Sequence, residues 1–160
     1  MGKTEITAEP GIPQIVTERE FEAPRDLVFR AYTDPDLIVR WLGPRDLTMR
    51  FDRHEPRDGG RWRYVSVDPA GHEHGFHGVF HGAPSVEGGI VQTFEYEGVP
   101  GHVALETVTF TEADGRTLVR SVSGFQSVED RDGMIASGAE YGVRESGERL
   151  EELLADLQGR

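Results

Sequence analysis

Two hydrophobic periods alternate along this chain. In IVTEREFEA, residues 15 to 23, Ile15, Thr17, Arg19 and Phe21 alternate with Val16, Glu18, Glu20 and Glu22; a period of two predicts a half-buried strand. The next stretch, APRDLVFRAYTDPDLIVRWLGP, switches to helical spacing through Leu27, Val28 and Ala31. It breaks at Thr33-Asp34-Pro35, resumes through Leu37, Ile38 and Trp41, and stops at Gly43-Pro44. Two short helices are expected. From about Leu47 to Phe125 the period of two returns, in runs separated by turn clusters such as Arg57-Asp58-Gly59-Gly60, Asp68-Pro69-Ala70-Gly71 and Asp114-Gly115. These runs predict six more strands, and connections this short make them antiparallel.

In the last segment Ala136, Ala139, Val143, Gly147, Leu150, Leu154 and Leu157 recur at steps of three and four. That spacing predicts one long helix with a single apolar stripe, a natural cover for one face of the sheet. Just before it, Asp130-Arg131-Asp132-Gly133 raises the question of a calcium loop. With Gly133 at the sixth position, Val128 falls first and Ala139 twelfth, where neither side chain can ligate. A turn leading into the helix is the simpler reading.

Composition narrows the partners. The 160 residues, 36% of them hydrophobic, suit one domain at 14–160. The first 13 residues carry Pro10, Gly11 and Pro13 and read as a flexible leader. A formal charge of −12 argues against nucleic acid, and no apolar run suits membrane insertion or a signal peptide. A cytoplasmic location is the default expectation. The chain has no cysteine, so no disulfide or thiolate chemistry is available.

The order of one strand, two short helices, six strands and a C-terminal helix resembles the helix-grip fold of the START-related and birch-pollen-allergen superfamily (SRPBCC). The stretches FEAPRDLVFRAYTDPDLIVRWLGP, GGRWRYVSVDPAGHEHGFHGVF, FEYEGVPGHVALETVTF and SVEDRDGMIASGAEYGVRES narrow this to the bacterial branch named after the activator of the 90-kDa heat-shock protein ATPase. The resemblance spans Gln14 to Leu157. It implies an α+β fold: a curved seven-stranded antiparallel sheet wrapped around the long C-terminal helix, enclosing a cavity. The superfamily includes lipid carriers, hormone receptors, polyketide cyclases, resistance proteins and co-chaperones, so fold does not settle function.

Alternation sorts the strands by face. It puts Trp62, Tyr64, His74, Phe76, Phe80, Gln92, Phe94, Tyr96, Glu106 and Arg120 on the inner face, with Trp41 at one end of the cavity. Mostly aromatic with a few polar groups, this set suits a small-molecule pocket. Glu106 and Arg120 lie on successive strands, where a hairpin would pair them as an anchor for a polar ligand group. The alternatives are that one reaches water at the sheet's end or that they satisfy only each other. Tyr141 falls opposite the leucine stripe, with Glu145, Glu148 and Glu152.

His72, His74, His77 and His81 alternate in facing and lack a cysteine or a helical H-E-x-x-H arrangement, so no metal site and no cofactor are assigned. No nucleophile motif or phosphate loop occurs, and no catalytic residue is assigned, although Glu106, His74 and Tyr96 are side chains that proton-transfer chemistry uses. The expected function is binding of a hydrophobic or aromatic small molecule, in stress resistance or secondary metabolism. A cyclase or hydrolase using the same cavity and a co-activator of the chaperone ATPase are the alternatives. The expected state is a monomer, or a homodimer formed through an edge strand.

Overall fold

The structure, a computed structural model, describes residues 2–160; Met1, part of the expected leader, lies outside the described residues. The elements in chain order are β1 (Glu5–Thr7), β2 (Gln14–Phe21), α1 (Arg25–Thr33), α2 (Pro35–Ile38), β3 (Thr48–His54), β4 (Arg61–Val67), β5 (Glu73–Val79), β6 (Ile90–Tyr96), β7 (Val103–Ala113), β8 (Arg116–Gly124), α3 (Val128–Ala136) and α4 (Ala139–Leu157). All eight strands form one antiparallel sheet in the order β1-β2-β8-β7-β6-β5-β4-β3. β3 to β8 are the meander that the turn clusters predicted. β2 returns to pair with β8 along its whole length, from Gln14↔Gly124 to Phe21↔Thr117.

Two expectations need correction. The sheet has eight strands rather than seven, because the segment read as a leader supplies β1, with Glu5 opposite Glu18 and Thr7 opposite Val16. A three-residue strand is too short to display a period. The C-terminal helix is also two helices, and Asp130-Arg131-Asp132-Gly133 belongs to the first of them rather than to a turn. Ser127 caps α3 by accepting from the Asp130 amide at 3.0 Å. Gly138 then takes φ 91°, a left-handed conformation that glycine adopts without the Cβ clash, and the chain restarts as α4.

The core fills one end of the concave face. Val28 and Ala31 of α1 and Leu150, Leu153 and Leu154 of α4 pack there against Phe21, Phe110 and Val119 of the sheet, all buried. Gly147 lets α4 approach β2 closely: a Cβ at that position would lie 3.0 Å from Arg19 and from the Thr4 hydroxyl. Tyr141 is 61% exposed on the opposite side of α4, where the helical pattern put it. None of the described helices is long and apolar enough to cross a membrane.

Candidate functional site

Away from the leucine core, the sheet and the C-terminal helices stand apart. They enclose a cavity of about 460 Å³, bounded by the inner faces of the strands, by α3 and α4, and by the α2–β3 connection at Leu42, Pro44 and Leu47. Its floor is aromatic. Trp62 and Tyr64 follow each other along β4 with ring centroids 5.5 Å apart, and Tyr64 lies 5.1 Å from Phe76 on β5. Phe94 of β6 completes the group, 5.5 Å from Phe76 and 6.0 Å from Trp62. Cross-strand register explains the cluster, since Tyr64 is directly opposite Phe76 and Trp62 opposite Gly78. Phe80 extends the floor through an isolated bridge to Gln92. On the helical side Tyr32 packs on Trp41 at 4.8 Å, and the Trp41 indole donates to the Ala31 carbonyl at 2.9 Å.

The polar part of the wall is a row across three strands. Gln92 of β6, Glu106 of β7 and Ser123 of β8 are successive cross-strand partners. The Gln92 amide nitrogen donates to Glu106 Oε1 at 3.0 Å. Burial pushes the Glu106 carboxyl above its ordinary range, and hydrogen bonds from Gln92 and Ser123 oppose that only in part. Tyr64 is also held neutral, first by burial and then by the charge of Glu106.

Arg120 is not in this row. On β8 it is Val119, Ser121 and Ser123 that line the cavity, while Arg120 stands opposite Thr109 on the outer face and reaches Glu18 at 3.6 Å. The expected Glu106–Arg120 pair is therefore not formed. Leu118 and Val122 share the parity of Arg120 and make that face look apolar, but it is the outer face, with Leu118 38% exposed. The serines are inward because they border the polar row.

The inward arginine is Arg19 of β2. It donates to Glu151 of α4 and to the Thr4 hydroxyl, each at 3.0 Å, and its guanidinium lies 5.4 Å from the Phe21 ring. The strand pattern already placed Arg19 beside Phe21. Its acidic partner was concealed because Glu151 lies on the flank of the helical stripe.

His54 also lines the cavity, and no period of two reaches it. The β3–β4 register shifts between Phe51 and Arg53, so Phe51 opposite Tyr64 and His54 opposite Trp62 share the inner face although three residues apart. Because a carbonyl only accepts, the contact of His54 Nε2 with Thr33 O at 2.8 Å puts the proton on Nε2. Burial lowers the imidazole's basicity, so the ring is neutral and its buried Nδ1 is an acceptor without a protein partner.

Of the expected inner-face residues, Trp41, Trp62, Tyr64, Phe76, Phe80, Gln92, Phe94 and Glu106 stand on the cavity wall. His74 and Tyr96 have the inward parity but lie beyond the cavity's end. There His74 Nδ1 meets the Tyr96 hydroxyl at 3.2 Å and Nε2 meets Asp68 at 3.2 Å. His77 faces outward, between Glu97 at 2.9 Å and Glu95 at 3.3 Å.

A curved antiparallel sheet closed by C-terminal helices is the helix-grip architecture of the SRPBCC superfamily. The sequence profile of the family described as "Activator of Hsp90 ATPase homolog 1-like protein" matches residues 22–155, and the chain belongs to that family. Among solved structures, a protein from Rhodobacter sphaeroides is similar at 26% identity, with 96% of this chain and 99% of that one covered and a TM-score of 0.86. A protein from Arthrobacter aurescens is similar at 24% identity, covering 95% of this chain and 91% of its own, with a TM-score of 0.87. A third, Ms6760 from Mycobacterium smegmatis, has 22% identity, coverages of 95% and 96% and a TM-score of 0.85. No curated protein matches the chain.

Proposed function

We propose that this protein binds a hydrophobic or aromatic small molecule in the cavity between the sheet and the C-terminal helices, as a carrier or sensor. The observation that carries the reading is the wall: rings of Trp62, Tyr64, Phe76 and Phe94 face about 460 Å³ of space, while polar groups are gathered in one row at Gln92, Glu106 and Ser123. Apolar concavities of several hundred cubic ångströms with a few convergent polar groups are suited to hold and orient small ligands. Large side chains that stop short of filling a core leave atoms without dispersion partners, a cost that a bound apolar molecule offsets.

Under this reading Trp41 and Phe80 bound the ligand's apolar body and Glu106 with Gln92 orients its polar end. Native mass spectrometry of protein purified from its own host, followed by denaturing extraction, tests the proposal, together with titration of the neutral dye N-phenyl-1-naphthylamine. The expected results are a specific retained metabolite and enhanced dye fluorescence. Protein that retains no metabolite and leaves the dye unchanged overturns the reading.

A further inference from the structure

The cavity wall is unbalanced in charge. Its other titratable or charged residues are Glu18, Arg19, Tyr32, His54, Tyr64 and Glu140. Arg19 is matched by Glu151, and Glu18 by Arg120. Burial keeps both tyrosines neutral, and His54 is neutral with its one proton on the Thr33 carbonyl. Glu140 of α4 is exposed and, among the described residues, lacks a cationic partner. Glu106 has only the uncharged Gln92 and Ser123 beside it. Among the described residues, no cation is paired with the carboxyl on the cavity wall.

The hydrogen-bonding capacity of the row leans toward acceptors. Gln92 donates one of its two N–H groups to Glu106 Oε1 and keeps its carbonyl oxygen to accept. When ionised, Glu106 is an acceptor on the wall beside the Ser123 hydroxyl, whereas the unpartnered His54 Nδ1 is buried. Two buried donors lack a partner among the described residues: Arg19 Nε, on the guanidinium already paired with Glu151, and the Trp62 indole nitrogen, which is packed against the sheet where a Cβ at Gly78 would meet it at 2.7 Å. An ammonium group has three donors and no acceptor, which suits the carboxylate and carbonyl oxygens of this row.

We propose that the ligand of this cavity is a hydrophobic amine, its ammonium seated on the carboxylate of Glu106 and its apolar body on the aromatic floor. The inference rests on the small-molecule reading above and names the chemical class. Proton bookkeeping follows from the burial of Glu106. Where the empty carboxyl is protonated, an entering ammonium displaces that proton to water, whereas a free amine takes it from Glu106; both routes end at the same ammonium–carboxylate pair. Taken from the ammonium, binding releases one proton wherever the empty carboxyl is protonated, and affinity rises with pH until the ligand's own amine deprotonates. The protein's charge of −12 adds long-range attraction for a cation.

The test is a matched series on the full chain: 2-naphthylmethylamine, 2-naphthalenemethanol and 2-naphthoic acid, measured by isothermal titration and by displacement of N-phenyl-1-naphthylamine. The amine is expected to bind tighter than the alcohol and the acid by about tenfold or more, the scale of a charge-assisted hydrogen bond in a dry site. Glu106→Gln is expected to remove that preference, bringing the amine to within about twofold of the alcohol measured in the same variant. For the unaltered protein, titrations of the amine from acid to neutral pH in buffers of different ionisation enthalpy read proton release on binding, a readout that needs no variant to fold; release that grows toward acid pH is expected, and none at any pH overturns the ammonium–carboxylate pairing. An alcohol or acid that binds as tightly as the amine, a preference unchanged in Glu106→Gln, or an amine that fails to displace a bound dye overturns the ammonium anchor and leaves the cavity reading standing. Failure of the dye and all three naphthyl compounds to bind overturns both.

Discussion

Arg19 of β2 and Glu151 of α4 meet at 3.0 Å beneath the helix, with side chains only 11% and 28% exposed. The contact fastens the second strand to the last helix across 132 residues of chain. Arg19→Met leaves Glu151 without its cation and is expected to cost roughly 2–3 kcal/mol, below the value for a fully buried pair because Glu151 retains some solvent. The double variant Arg19→Met/Glu151→Leu removes both charges and should recover most of that loss. Urea unfolding of the single and double variants measures both.

The raised Glu106 carboxyl predicts a pH signature. A group whose folded-state pKa lies above its unfolded value contributes stability that is complete below the unfolded value, here 4.5, and lost as pH rises through the folded value. Glu106→Gln does not titrate. Its stability relative to the unaltered protein should therefore grow as pH rises above 4.5 and show no trend below it. Denaturant midpoints across the pH range check it, and a difference constant with pH contradicts it.

Glu97 has the opposite sign. Hydrogen bonds from Arg63 and His77 hold its carboxyl down at about 2, against an ordinary 4.5. Its contribution is present above 4.5 and lost as pH falls toward 2. Glu97→Gln should be less stable than the unaltered protein at neutral pH, and the two should converge in acid. The same denaturant series reads this out.

Val108→Trp puts an indole into the cavity from the centre of β7. Because the space is already open, the usual strain of overpacking is reduced and the melting temperature should move by only a few degrees. Dye affinity should fall by roughly tenfold or more if the dye occupies this volume. Fluorescence titration and a thermal melt on the same sample separate a filled cavity from an unfolded chain.

Gly138→Ala tests the join between α3 and α4. At φ 91° an alanine takes on the steric cost of the left-handed region, about 1–2 kcal/mol. Thermal unfolding should show a lower midpoint with unchanged helical content at room temperature.

Much of this architecture is legible from the pattern of apolar residues, and what escapes does so for local reasons. The alternation Ile15, Thr17, Arg19, Phe21 and the turn clusters after Leu47 give β2 and the meander, because one face of each strand is covered and the other is not. His54 escapes because the irregularity after Phe51 resets the parity of β3. Arg120 is misassigned because an outer face carrying Leu118 and Val122 looks more apolar than an inner one carrying Ser121 and Ser123. The aromatic part of the wall follows from period two and register, while Glu151 is recognisable as Arg19's partner only once the helix is laid on the sheet.

The β2–β8 ladder has a kinetic implication. Gln14 to Phe21 must wait for Arg116 to Gly124 before their shared hydrogen bonds can form. The intervening chain must close at an entropic cost before β2 joins the meander. Such non-local pairing slows folding, toward milliseconds to seconds rather than microseconds. During synthesis, β2 can pair with β1 at once but with β8 only after the entire meander has emerged.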